Sequence, residues 1–200
     1  MPKDTFFNLS EEKRQRIIDA AVLEFSKSHY NKVTIDGIVG CAEIPKGSFY
    51  QYFENKDDLY TYTFSQIGDR KKDTLEKTEQ YIDTLTFREY LLKMLEDATE
   101  FEDEDLVLIQ LKDKFMNECP QEVRRKVLKN EIPKSYRLLE KVLTAYIQKG
   151  ELKEDLDVKV AAYIITTCIV NLENFEFDEN ENMHDVVIRI FNVLMGNLSK

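Results

Sequence analysis

The chain has 200 residues, 42% of them hydrophobic, and carries a net charge of -10 at pH 7. It is long enough to bury a sizeable core. An acidic chain is an unusual nucleic-acid binder. However, residues 1–60 hold 8 Lys/Arg against 10 Asp/Glu, so most of the excess charge lies further along the chain. The total charge therefore does not exclude DNA binding, which depends on the charge of the docking surface.

The composition argues against a secreted, membrane-spanning or metal-binding protein. Residues 1–5 contain no apolar segment of a secretory signal. The longest apolar run, Val160–Val170, is shorter than the roughly 20 residues that span a bilayer. Cys41, Cys119 and Cys168 are odd in number and widely separated, which favours buried free thiols in a reducing compartment. With two histidines, we expect no metal site and no cofactor, no membrane partner and a cytoplasmic location.

The first sixty residues predict three short helices. Ser10 is a good N-cap, and apolar residues follow it at helical spacing as far as Phe25. Thr34 caps the second helix. The inner face of that helix has four apolar residues in the i, i+3, i+4, i+7 pattern: Ile35, Ile38, Val39 and Ala42. The third helix runs from about Pro45 to Phe53, and two short helices joined by a tight turn are typical of a helix-turn-helix.

The rest of the chain is also predicted to be helical. Asn55 caps a long helix that runs from about Lys56 into the 70s, and Asp157 is a candidate cap further on. Further helices are predicted near 86–101, 104–117, 120–130, 133–149, 157–175 and 183–198. The breaks include Pro120, Pro133 and Gly150, because proline and glycine interrupt helical patterns. We therefore predict an all-α protein with a small N-terminal head and a larger helical body.

The head resembles a known family. The stretch Lys46–Phe53, followed by Asn55–Leu59, is similar to the turn, recognition helix and next helix start of the TetR family of transcriptional regulators. Arg16–Ala21, with Phe25 and Tyr30, resembles an earlier part of the same N-terminal domain. The resemblance covers about residues 10–60, and its specificity comes from several spaced positions that agree over fifty residues.

This resemblance implies a helix-turn-helix DNA-binding domain over residues 1–56 and a helical effector-binding and dimerisation domain over residues 57–200. Such a protein binds a palindromic double-stranded DNA operator as a homodimer, most often as a repressor, and a small-molecule effector releases it. The dimer would form through about 157–175 and 183–198. The second of these helices carries more apolar surface than one neighbour can cover, which favours a two-fold interface.

The resemblance also implies a set of DNA-contacting residues: Thr34, Lys46, Gly47, Ser48, Tyr50, Gln51, Tyr52 and Lys56. Thr34, Tyr50 and Lys56 would bind phosphates, whereas Gln51 and Tyr52 would face the groove. Lys46 would sit at the major-groove end of the recognition helix. Hydroxyls, ammonium groups and helix N-termini suit phosphate oxygens, whereas Gln and Lys can read base edges.

Two features depart from the family pattern or weaken the head. Glu43 stands in the turn where the family usually has Gly, so a left-handed backbone there would be strained. Its carboxylate would also weaken phosphate binding. Gly37 and Gly40 lie inside the second helix, each costing about 1 kcal/mol relative to Ala. The apolar neighbours of the DNA-contacting residues are predicted to be core: Cys41, Ile44, Phe49 and Phe53.

The effector is unknown, and its site is predicted only from the family's use of the body helices. The candidate residues are Phe64, Met94, Phe101, Phe115, Tyr136 and Asn171. Aromatic residues at helical spacing are also what an ordinary core requires, so each candidate has this second interpretation.

The sequence also bears on two other classes of function. An enzyme is not expected, because the chain has no Gly-rich phosphate loop, no Gly-x-Ser-x-Gly and no His-Glu-x-x-His. The alternative is a helical protein-interaction module without specific DNA binding, suggested by Glu43 and the acidic balance. Binding unaffected by Lys46→Ala, Tyr50→Ala and Lys56→Ala together would favour that module.

Overall fold

A computed structural model describes residues 1–103, 105–172, 175–178 and 181–198, with backbone alone at 74, 98–103, 183, 195 and 197–198. The regular structure within these residues is helical, which confirms the all-α prediction. The α-helices are α1 (Asp4–Phe7), α2 (Glu11–Lys27), α3 (Ile35–Cys41), α4 (Lys46–Tyr52), α5 (Lys56–Lys77), α6 (Phe87–Asp103), α7 (Leu106–Asn117), α8 (Gln121–Gln148), α9 (Val158–Val170) and α10 (Met183–Leu198). None of these helices, as far as they are described, is both long and apolar enough to cross a membrane.

The chain forms two compact units, each with its own core. The first unit comprises Met1–Arg70 and Phe101–Asn130, and the second comprises Lys71–Glu100 with the described part of Glu131–Lys200. In the first unit, α2 packs against α3 and α7, while α4 packs against α1 and α3. Its core is rich in aromatic side chains: Phe6, Phe25, Phe49, Phe53 and Tyr60. The second core includes Phe87, Tyr90, Leu143, Tyr146, Ile165 and Val187.

Local sequence signals predict the helix starts well. The four predicted cap side chains each accept a hydrogen bond from the backbone N–H three residues later, at 3.0–3.4 Å: Ser10, Thr34, Asn55 and Asp157. These bonds satisfy N–H groups that have no partner inside the helix. The caps therefore fix the starts of α2, α3, α5 and α9.

The predicted helix break at Pro133 is wrong. Residues 121–148 form the single helix α8, with Pro133 inside it. Proline lacks the N–H that would bond the carbonyl four residues back, which weakens a helix without always ending it. The helix continues because both of its parts are buried: Val127 lies in the first core, and Val142 and Leu143 lie in the second.

The structure adds one helix and corrects two other predictions. The short helix α1 was not predicted, although its Phe6 is fully buried. Helix α9 ends at Val170 rather than near 175, since the Asn171 side chain donates to the Thr167 carbonyl at 2.8 Å. Cys41 was predicted to be core but is exposed. It follows the apolar stripe of α3 and lies off the face that packs inward.

Candidate nucleic-acid interface

The turn between α3 and α4 sets the orientation of α4, the predicted recognition helix. It is closed by a hydrogen bond from the Ile44 N–H to the Val39 carbonyl at 3.0 Å, and Ile44 is anchored in the core. Glu43 has φ of 53°, so the strained left-handed backbone predicted at this position is confirmed. A residue with a Cβ in this conformation costs roughly 1–2 kcal/mol. The strained residue thus lies in the turn that sets the direction of α4.

The outer surface of α4 carries the polar groups predicted to meet DNA. Lys46, Gly47, Tyr50 and Gln51 are exposed and Ser48 is half-buried, whereas Phe49 on the opposite face is fully buried. A Cβ added at Gly47 would meet no atom within 4 Å, so the backbone there is open to close approach. The helix thus presents a hydroxyl, an ammonium and an amide side by side, which is the chemistry that binds phosphates and base edges.

Tyr52 does not share this surface, so the prediction that it faces the DNA groove is wrong. It is 6% exposed and its ring packs edge-on against Phe6 at 6.2 Å between centroids. The Lys13 Nζ lies over the same ring, 5.9 Å from its centroid. The burial follows from α1, which was absent from the sequence prediction and which covers this side of α4.

Residues 3–5 also hold the last turn of α4. The Lys3 N–H donates to the Tyr52 carbonyl at 2.8 Å, and the Lys3 Nζ donates to the Tyr50 carbonyl at 2.8 Å. The Thr5 hydroxyl donates to the Gln51 carbonyl. These three carbonyls have no partners within the helix, and a cation at a helix C-terminus is favourable. The N-terminal segment therefore fixes the end of α4 that is opposite to the turn.

Both lysines predicted to meet DNA are engaged within the protein. The Lys46 Nζ lies 2.8 Å from Asp36 Oδ1, and the hydrogen bond and charge of Asp36 raise the pKa of Lys46. The Lys56 Nζ donates to the Tyr30 and Val33 carbonyls at 2.7 and 2.9 Å. Burial lowers the pKa of Lys56. Lys56 thus joins the segment before α3 to the start of α5, and its predicted phosphate contact stays a prediction.

A polar network links the head to α8, and sequence analysis missed it. Asp57, in the first turn of α5, accepts hydrogen bonds from the Tyr30 hydroxyl and from the Lys126 Nζ, the latter at 2.8 Å. Burial favours a raised pKa for Asp57, but these two bonds and the nearby cations outweigh it and leave the pKa below its usual value. Tyr30 and Lys126 are far from Asp57 in sequence, so no local pattern indicates the network.

The Asp57 network predicts an acid-sensitive contribution to stability. Since the pKa of Asp57 is lowered in the folded state, its contribution is complete above the unfolded value of about 4 and is lost as pH falls through the folded value. Asp57→Asn should lose about 1–2 kcal/mol at pH 7, because the bond to Lys126 involves two charges. The difference from the wild type should shrink below about pH 4.

Urea unfolding at a series of pH values measures this difference. Asp73→Asn, at an exposed site on α5, is the control and should show no such dependence. A stability gap between the wild type and Asp57→Asn that stays constant from pH 7 to about pH 3 would contradict the prediction.

The predicted effector residues whose side chains are described are divided between the two units. Phe64 and Phe115 are in contact in the first unit, with ring centroids 4.5 Å apart. Met94, Tyr136 and Asn171 belong to the second unit, where Tyr136 packs on Tyr163 at 5.9 Å and Asn171 is exposed. The Phe101 side chain lies outside the described residues. The assignment of the effector site stays a prediction.

The outer faces of α9 and α10 are apolar and exposed. Val160, Tyr163 and Ile164 on α9 are 39–56% exposed, and Val193 on α10 is 70% exposed. A groove of about 320 Å³ lies along α10, lined by Cys168, Phe175, Val186, Arg189, Ile190, Val193 and Leu194. Exposed apolar surface of this extent marks an interaction site in most proteins that are not membrane-bound.

The helix-turn-helix geometry, with a polar outer face on α4 and a buried aromatic inner face, defines a DNA-binding regulator. Residues 17–63 match the family described as "Bacterial regulatory proteins, tetR family". The N-terminal part of the chain is thus similar to the DNA-binding domain of TetR-family transcriptional regulators.

Relatives of known sequence extend this similarity to the body. The Fatty acid metabolism regulator protein of Bacillus subtilis (strain 168) is 29% identical over 174 residues, which cover 82% of this chain and 87% of that protein. The Probable acrEF/envCD operon repressor of Escherichia coli (strain K12) is 26% identical over 171 residues, covering 76% and 70%.

Solved structures have the same fold. A TetR family transcriptional regulator from Chloroflexus aurantiacus is 28% identical, covers 100% of this chain and 99% of its own, and has a TM-score of 0.51. The regulator FadR of Bacillus subtilis, solved with stearoyl-CoA, is 24% identical, covers 91% and 95%, and has a TM-score of 0.59.

Proposed function

We propose that this TetR-family regulator binds a palindromic operator as a homodimer, represses transcription from it, and is released by a small-molecule effector. The DNA-binding domain would span residues 1–56, and the effector-binding and dimerisation domain residues 57–200. The observation that carries the proposal is the polar outer face of α4, on a helix whose two ends are held by the turn and by residues 3–5. Its site of action is the cytoplasm, and no enzymatic step is part of it.

The DNA contacts divide by chemistry. Tyr50 and Thr34 carry hydroxyls suited to phosphate oxygens, and the N–H groups at the start of α3 add to them. Gln51 is suited to adenine and Lys46 to guanine in the major groove. Gly47 and Ser48 allow the DNA backbone to approach α4 closely. These roles set the position of the protein through phosphates and its specificity through two side chains.

In vitro selection from random duplexes tests the proposed DNA binding without knowledge of the operator. The wild-type chain should enrich a palindromic duplex, and gel shifts should give a higher affinity for it than for a scrambled duplex. Affinity should fall steeply with salt, because binding to phosphates releases counterions. No enrichment at low salt would contradict the proposal.

The dimer rests on the exposed apolar faces of α9 and α10. Val193→Glu should give a monomer, because burying a carboxylate at an apolar interface costs several kcal/mol. Binding to the palindrome should weaken with it, since the two half-sites are no longer engaged together. Sedimentation velocity measures the oligomeric state, and gel shifts measure the binding.

Leu106→Glu is the matched control for this change. Leu106 is 77% exposed on α7, outside the two proposed dimer helices, and its replacement should leave the oligomeric state unchanged. A dimeric Val193→Glu variant, or a monomeric wild type at the concentrations that bind DNA, would overturn the proposed interface.

A long-chain acyl-CoA is the first effector to test. This choice is supported by the Bacillus subtilis relatives, one named for fatty acid metabolism and one solved with stearoyl-CoA. Stearoyl-CoA added to the protein–DNA complex should release the duplex, whereas free coenzyme A and stearate serve as controls for its two parts. Retention of DNA with all three compounds would assign the effector to another class.

A protein-interaction module is the second candidate function. It is favoured by the net charge of -10, by Glu43 beside the recognition helix, and by the internal engagement of Lys46 and Lys56. In that case the selection would enrich no duplex, and the combined Lys46→Ala, Tyr50→Ala and Lys56→Ala variant would bind its partner like the wild type.

A further inference from the structure

The predicted DNA-binding surface contains an ion pair whose role the helix-turn-helix alone does not explain. The Lys46 Nζ lies 2.8 Å from Asp36 Oδ1 and 2.9 Å from Oδ2, so the ammonium contacts both carboxylate oxygens. The two residues belong to different helices, α3 and α4, on either side of the turn. Their side chains are 53% and 69% exposed, so both are accessible to DNA.

We propose that Asp36 is a specificity-determining residue that acts through Lys46. On DNA that offers Lys46 only phosphates, the Asp36 carboxylate stays paired with the Lys46 ammonium and neutralises its charge. When a guanine lies opposite Lys46, the ammonium binds the guanine edge and keeps at most one bond to Asp36. The inference rests on the proposed function, since it requires that the chain bind a specific duplex.

The balance of charges on this surface supports the proposal. A free lysine attracts the phosphates of every sequence equally, which raises non-specific binding without adding specificity. A carboxylate at 2.8 Å cancels that attraction and itself repels phosphates. Guanine differs from phosphate because it offers two acceptors, O6 and N7, in the groove, and an ammonium has three donors. Lys46 can therefore bind guanine and keep one bond to Asp36.

The other lysine of this surface does not compensate for the neutralised Lys46. The Lys56 ammonium donates to two backbone carbonyls and lies 4.2 Å from the centroid of the Tyr30 ring. If Lys56 gave up these hydrogen bonds to bind a phosphate, the contact between α5 and the segment before α3 would be lost. Asp36 therefore sets how far the Lys46 ammonium is available to phosphates.

A purely structural role for Asp36 makes a different prediction. An acidic residue in the first turn of a helix is favourable with the helix dipole, and Asp36 occupies that position in α3. If this were its whole role, Asp36→Asn would lower stability slightly and would leave the preference for the selected duplex unchanged. The ratio of the two DNA affinities separates the two roles.

The experiment measures binding of the intact chain to the duplex enriched by the wild type and to its scrambled version, over a salt series. Asp36→Asn should raise affinity for scrambled DNA about fivefold for each subunit, as expected for one unscreened charge near a phosphate. Affinity for the selected duplex should change less, so the ratio should fall. The salt dependence on scrambled DNA should steepen by about one phosphate contact for each subunit.

A double-mutant cycle tests whether Asp36 acts through Lys46. In the Lys46→Met background, Asp36→Asn should leave the ratio unchanged. Glu54→Gln, at an exposed acid just after α4, controls for the loss of a negative charge and should raise both affinities equally. Asp36→Ser replaces Asp36→Asn if circular dichroism shows that the amide variant has lost helix.

Two results would overturn the inference. An equal rise in both affinities would make Asp36 a general repulsive charge, and an unchanged ratio with altered stability would make it structural. A wild type without preference for any duplex would instead contradict the proposed function, so the two failures are distinguishable.

Discussion

Replacing Phe53 by Ala is expected to lower the free energy of unfolding of the first unit by about 3–5 kcal/mol. Phe53 is fully buried directly after α4, with its ring centroid 4.9 Å from that of Phe6 and 5.6 Å from that of Phe49. Alanine removes the transfer energy of the ring and leaves a cavity that the neighbouring rings fill only in part. Because these rings join α1 to α4, the loss should reach the DNA-binding surface.

Urea unfolding followed by circular dichroism measures this effect. Phe53→Leu, which keeps most of the volume, should cost clearly less than Phe53→Ala, since it leaves a smaller cavity. Tyr81→Ala, at a 39% exposed site, is the control for loss of an aromatic ring at the surface. Equal stabilities of the Phe53→Ala and Tyr81→Ala variants would contradict the packing described for this core.

Replacing Gln51 by Ala is expected to have the largest effect on specific DNA binding. A side chain that makes two bonds to an adenine contributes about 1–3 kcal/mol of discrimination, and a dimer uses it twice, so the selected duplex should lose about 2–6 kcal/mol. Binding to scrambled DNA should change little, because Gln51 is exposed on α4 and uncharged. The preference between the two duplexes should therefore fall with it.

Tyr50→Phe is the matched comparison on the same helix. It removes only the hydroxyl of a 47% exposed ring, so it should weaken binding to both duplexes by a similar factor. Gel shifts measure the affinities of both variants for both duplexes, each compared with that of the wild type. If Gln51→Ala weakened both duplexes equally, Gln51 would be a phosphate contact rather than the base-reading residue.

The features that sequence analysis predicted correctly are local ones. The caps at Ser10, Thr34 and Asp157 each depend on one side chain and an N–H three residues away. The left-handed backbone at Glu43 was predicted from the resemblance, because the family usually has Gly at this position of the turn. Such features need no knowledge of distant residues, so a single sequence contains them.

The features that it missed depend on residues that are distant in sequence. The burial of Tyr52 requires α1, a helix of four residues that is too short to show a periodic pattern. The continuity of α8 through Pro133 is stabilised by packing on both sides of the proline. The network joins Asp57 to Tyr30, which is 27 positions away in sequence, and to Lys126, which is 69 positions away. Each outcome was decided by tertiary contacts rather than by propensity.

The contacts of Lys3 and Thr5 with α4 have a practical consequence for anyone who purifies this protein. An affinity tag fused ahead of these residues would place added chain beside the last turn of the recognition helix, where the Tyr50 and Tyr52 carbonyls are held. We expect such a fusion protein to fold normally and to bind DNA more weakly than the untagged chain. A tag at the other end of the chain, or one removed by a protease before the assay, leaves these contacts intact.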